Sequence, residues 1–113
     1  MKWTKEKIAE WSVKTFPSLT CEQQAEKLDL ELDELMKAIS PADRLEEKAD
    51  VAIVLVILEV RFGCAWAGFC LACLLYGNGD EYANQILEAV DIKMDINAKR
   101  TWALINGEYR HID

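Results

Sequence analysis

Four acids stand in two short pairs, Glu31 with Glu34 and Glu47 with Asp50. Each pair has i, i+3 spacing, which puts both side chains on one face of a helix. Two such helices lying side by side would bring four carboxylates to one point. Left unneutralised, that cluster repels itself, so it calls for a divalent cation. Hard oxygen ligands at this density suit Mg²⁺ or Mn²⁺. The expected substrate is one that itself binds Mg²⁺, and a nucleotide phosphate is the first candidate. A solvated acidic face is the plain alternative, and Asp29 and Glu46 are assigned to it.

Further along, Lys93, Asn97 and Arg100 follow one another at i, i+4, i+7 and form a single helical stripe. Two cations and an amide in line suit phosphate oxygens, and Arg binds them bidentately. Alone they would be an ordinary polar face; beside a metal-carboxylate cluster they become a clamp for a polyphosphate tail. Lys27 lies four residues before Glu31, and Arg44 three before Glu47. Either can pair with its acid in a surface salt bridge worth less than about 1 kcal/mol, or touch a phosphate. A nucleobase needs an aromatic or apolar slot, for which Trp11 and Phe16 are the candidates. Trp3 and Trp102, like these two, serve equally well as core.

These groups need helices to hold them. A first helix is expected from about Thr4 to Thr15, broken by Phe16-Pro17-Ser18. Thr20-Cys21-Glu22-Gln23 has the form of a capping box and opens a second helix. Ala25, Leu28, Leu32, Leu35 and Ile39 give that helix an apolar stripe. Ser40-Pro41 fits an N-cap followed by Pro at the first position of a third helix, which Gly63 is placed to end. On that helix Glu47, Asp50, Val54 and Ile57 share one face. Beyond Asp50 it is apolar all round, as a buried element should be. A fourth helix fills Ala65 to Tyr76, Gly77 to Asp80 is a turn, and a fifth helix runs from about Asp80 to Arg100. Asn106-Gly107 marks a turn in the tail, consistent with a short ribbon folded over the helices. The fold class is therefore all-α, with about five helices and a four-helix-bundle core completed by oligomerisation.

The chain of 113 residues is expected to be one domain, and its 51% hydrophobic content is ample for a core. A net charge of −7 with no basic block argues against a nucleic-acid polymer as partner. The segment from Val51 to Tyr76 is strongly apolar, but Glu59, Arg61 and Gly63 divide it into pieces shorter than the ~20 residues that span a bilayer. No membrane partner is expected. Cys70 and Cys73 have CxxC spacing without a second Cys/His pair to complete a zinc site. Together with Cys21 and Cys64 they fit reduced thiols, those of the apolar stretch in the core, in a cytoplasmic protein whose N-terminus carries no secretory h-region.

The ordered set of motifs resembles the MazG-like all-α nucleoside triphosphate pyrophosphatases. Their hallmark is EExxE followed, after a gap, by ExxD. It stands here as Leu30-Glu31-Leu32-Asp33-Glu34 and Glu47-Lys48-Ala49-Asp50, and Lys93, Asn97, Arg100 and Trp102 follow the family's later pattern. Trp11 to Pro17 and Gln24 to Leu28 are similar to the phage and mobile-element branch, so the resemblance covers nearly the whole of residues 1–113. It implies metal ligation and catalysis by Glu31, Glu34, Glu47 and Asp50. The reaction implied is hydrolysis of a (deoxy)nucleoside triphosphate to monophosphate and pyrophosphate, a house-cleaning of the nucleotide pool. The assembly implied is a homodimer or homotetramer. One place departs from the pattern: Leu30 stands where the family has its first acid, which leaves the water-activating group open. The alternatives are a non-catalytic metal- or nucleotide-binding helical oligomer, a relative acting on dUTP or phosphoribosyl-ATP, and a purely structural or antitoxin-like helical dimer.

Overall fold

The computed structural model describes residues 2–113. Helix α1 (Lys5–Thr15) starts where the Thr4 hydroxyl accepts from the Lys7 amide, 3.2 Å away. Helix α2 (Cys21–Lys37) opens on the expected capping box. The Gln23 amide donates to Thr20 Oγ1 at 3.1 Å, and the Thr20 amide donates to Gln23 Oε1 at 3.0 Å. Helix α3 (Pro41–Val56) has Ser40 as N-cap and Pro41 in the first turn, where its missing amide hydrogen costs nothing. The three residues 38–40 turn the chain back, so α2 and α3 form a packed helical hairpin.

Helix α3 is the spine of the molecule and touches all four other α-helices. Every residue from Val51 to Leu58 is buried, as the all-round apolar pattern requires. Its last turn widens into a π-turn over Ile57–Arg61, and Gly63 at φ +70° releases the chain. Glu59 and Arg61, the charges interrupting the apolar stretch, both find partners there. Lys5 Nζ lies 2.7 Å from Glu59 Oε1. The Arg61 guanidinium donates to the Ser12 and Phe16 carbonyls at 2.8 Å each and so caps the C-terminal end of α1.

Helices α4 (Ala65–Tyr76) and α5 (Asp80–Lys99) close the core, with Ile8, Ile86, Val90 and Met94 packed at its centre. The tail forms an antiparallel ribbon, β1 (Trp102–Ile105) with β2 (Glu108–His111), in the register Trp102 opposite His111. Asn106 at φ 52° and Gly107 at φ 81° make the two-residue turn, a conformation Asn-Gly tolerates well. The fold is all-α apart from this ribbon. Among the described residues no helix is long and apolar enough to cross a membrane.

Two expectations need correction. The inward face of α2 is not the apolar stripe. Leu28 is buried and Leu35 partly so, but Ala25, Leu32 and Ile39 are exposed, Ile39 to 91%. The inward positions are instead Gln24, Leu28 and Glu31, so the helix is rotated to carry two polar side chains inside. The thiols are free, but they are not all in the core: Cys21 and Cys73 are exposed and only Cys64 and Cys70 are partly covered.

Candidate metal and phosphate site

Helices α2 and α3 bring the acids together as their spacing predicts. Carboxylate oxygens of Glu31, Glu34 and Glu47 all lie within 4.8 Å of one another. Asp50, one turn beyond Glu47, stands at the edge of this trio rather than inside it. It pairs with Lys93 of α5 at 3.6 Å. Glu31 is 8% exposed, and Lys27 approaches its Oε1 at 3.1 Å. Of the two cations offered by spacing, Lys27 therefore meets its acid. Arg44 is exposed and forms no ion pair with Glu47 among the described residues.

The electrostatics are those of a site short of positive charge. Burial raises the carboxyls of Glu31, Glu47 and Asp50 above their ordinary values. Neighbouring acids add to the rise at Glu47, while Lys27 and Lys93 only partly offset it at Glu31 and Asp50. Glu31 Oε2 and Glu47 Oε2 are sealed from solvent without any hydrogen-bond partner. An orphaned buried carboxylate oxygen is costly, and two of them in one acidic cluster are a poor structural device. A hard divalent cation removes that cost, so the residues present fit Mg²⁺ or Mn²⁺.

Glu31, Glu34 and Asp50 line a cavity of about 470 Å³ that Lys93, Asn97 and Arg100 line as well. The stripe on α5 thus borders the same space as the acids, with Lys93 in contact with Asp50. Next to it lies a second chamber of about 300 Å³ with Trp11, Phe16, Trp102 and Tyr109 in its wall. Lys27, Asn97 and Trp102 border both spaces. Phe16 is the hub of the aromatic group. Its ring lies 5.1 Å from Trp11 and from Trp102, edge to face, and 4.9 Å from Tyr109. Leu30 is 57% exposed at the rim of the aromatic chamber, so no acid occupies that place.

Sequence reasoning missed what the ribbon contributes. Tyr109 and Arg110 border both cavities, and His111 lines the acidic one. The ribbon is held by the Ser18 amide donating to Tyr109 Oη at 2.9 Å, and by Gln23 Nε2 donating to the Gly107 carbonyl at 3.0 Å. Trp102 Nε1 donates to the Asn97 carbonyl at 3.0 Å, which ties the ribbon to the end of α5. The Asn106-Gly107 turn was the only signal for this element, and a turn does not say where its strands dock. In comparisons with known proteins the chain matches no family model, no curated protein and no solved structure.

Proposed function

We propose that the chain is a Mg²⁺-dependent (deoxy)nucleoside triphosphate pyrophosphohydrolase, releasing monophosphate and pyrophosphate in the manner of the MazG-like enzymes it resembles. The observation that carries this reading is the pair of sealed, unpartnered oxygens, Glu31 Oε2 and Glu47 Oε2, beside a cavity lined by acids of the cluster and by Lys93, Asn97 and Arg100. Glu31, Glu34, Glu47 and Asp50 would hold the ion. Bound there, Mg²⁺ would supply charge neutralisation of the phosphate oxygens and activation of water. Lys93 and Arg100 bind the β- and γ-phosphates and take up the charge that develops on the leaving pyrophosphate. The aromatic chamber next door accepts the base. With Leu30 in the first motif position, the proton acceptor is one of the four acids themselves.

The reading includes assembly. Trp66, Phe69, Cys73 and Tyr76 form an exposed stripe along α4, with the three aromatic residues 63%, 69% and 58% exposed. So much aromatic surface on one helix face fits a homodimer or homotetramer better than a solvated monomer. The exposed Leu30 favours one second reading, a non-catalytic nucleotide-binding oligomer. Incubation with a panel of triphosphates, Mg²⁺ and ¹⁸O-water separates the two. Label in the monophosphate, with pyrophosphate as co-product, is the expected result; no product, or label only in orthophosphate, defeats the proposal.

A further inference from the structure

Gln24 is the one buried polar side chain in the wall of the aromatic chamber, at 5% exposure. Its Nε2 donates to the Val54 carbonyl at 3.4 Å. That contact sets the orientation of the amide, since the flipped form would put oxygen against oxygen. Oε1 accepts no hydrogen bond from the described residues, yet it is not among the atoms sealed from solvent. The chamber thus presents this acceptor among the apolar residues Ile53, Val54 and Ile57, while its other polar lining residues, Gln23, Glu26, Asn97 and Glu108 among them, are less buried. Trp11 and Trp102 stand in the walls, surfaces against which a flat heterocycle packs. Gln24 borders only this chamber and not the acidic cavity, so it meets the base and not the phosphates.

We propose that Gln24 is a specificity-determining residue that reads the exocyclic amino group of adenine and cytosine, so that the site takes their nucleotides in preference to those of hypoxanthine, guanine and uracil, which carry a carbonyl oxygen at that place. This deepens the triphosphate reading above and rests on it for the placement of the base. An amino N–H donates to Oε1. A carbonyl oxygen at the same place sets lone pairs against lone pairs and leaves the buried amide oxygen unmet. Sites built around a buried hydrogen-bonding group reject the analogue that cannot complete the bond more strongly than apolar pockets reject a change of size.

The test uses equilibrium binding of the monophosphates AMP, IMP, GMP, CMP and UMP to the full chain, by calorimetry. AMP and IMP, and CMP and UMP, differ by amino against carbonyl at one place, GMP carries the carbonyl of IMP there, and all five bind without any reaction. AMP should bind about tenfold more tightly than IMP and GMP, and CMP about tenfold more tightly than UMP, the span of one well-made hydrogen bond. Gln24→Met should bring each ratio to within about twofold, mainly by weakening AMP and CMP, whereas a purely structural loss would weaken all five alike. Equal affinities in the unaltered chain, no monophosphate binding at all, or unchanged ratios in Gln24→Met each overturn the inference. Triphosphate hydrolysis without base preference defeats this inference and leaves the proposed activity standing. Amino-selective binding without hydrolysis does the reverse.

Discussion

Replacing Glu47 with Gln should stabilise the metal-free chain and remove most of its response to Mg²⁺. Carboxylate oxygens of Glu31, Glu34 and Glu47 lie within 4.8 Å of one another. Two unit charges at that spacing repel by about 3.5 kcal/mol at an effective dielectric of about 20, and by about 1 kcal/mol in water. Glu34 is exposed, so its pairs fall near the lower figure. Glu31 and Glu47 each carry a sealed oxygen, which moves their pair upward. Partial protonation and the nearby Lys27 and Lys93 reduce the repulsion, leaving a net gain of about 1–2 kcal/mol for the variant near neutral pH. For a domain of this size that is a rise in Tm of about 4–8 °C.

Calorimetry with chelator and then with excess Mg²⁺ reads both effects. The sign of the pH dependence follows from the direction of the shifts. Glu31, Glu47 and Asp50 have folded values above their ordinary 4.5, 4.5 and 3.8. Their contribution to stability is therefore complete below those ordinary values and is lost as pH rises through the raised folded ones. Asp95 and Glu108 shift the opposite way, but the difference between parent and variant cancels them. The Tm gain of Glu47→Gln should grow from acid toward neutral pH in chelator, and Mg²⁺ should raise the parent's Tm much more than the variant's. A variant no more stable than its parent in chelator at every pH, though folded by circular dichroism, would refute the charge-cluster reasoning.

Three further outcomes are expected. Asp50→Asn should abolish Mg²⁺-dependent pyrophosphate release, and undiminished turnover would remove Asp50 from the site. Arg100→Ala should lower kcat/KM for triphosphate by about 10- to 100-fold, the span of a lost charge-assisted contact, while leaving Mg²⁺ affinity by calorimetry within about twofold. Light scattering should show at least a dimer, and Trp66→Glu with Phe69→Glu should dissociate it; a monomeric parent would contradict the role given to the α4 stripe.

The helices were legible because their ends are written in short-range chemistry. Thr20 and Gln23 satisfy each other's backbone amides, Ser40 accepts from the Asp43 amide, and Pro41 has no amide hydrogen to satisfy, all within one turn, so no distant residue can alter their meaning. The acids were legible for the same reason, since i, i+3 spacing fixes a face whatever the helix packs on. The aromatic chamber was not, because it depends on contacts such as Ser18 to Tyr109, which join a loop after α1 to the far strand of the ribbon. The face of α2 was misjudged for a different reason. Hydrophobic periodicity assumes that the most apolar side goes inward. Here Gln24, Leu28 and Glu31 go inward, at i, i+4, i+7, while Leu32 and Ile39 stay outside. Leu28 separates the two polar groups, Gln24 toward the aromatic chamber and Glu31 toward the acid cluster, so one helical face serves both compartments. A helix that buries an amide and a carboxylate while exposing Leu30, Leu32 and Met36 gives up local consistency, and such departures concentrate where a ligand is to be held.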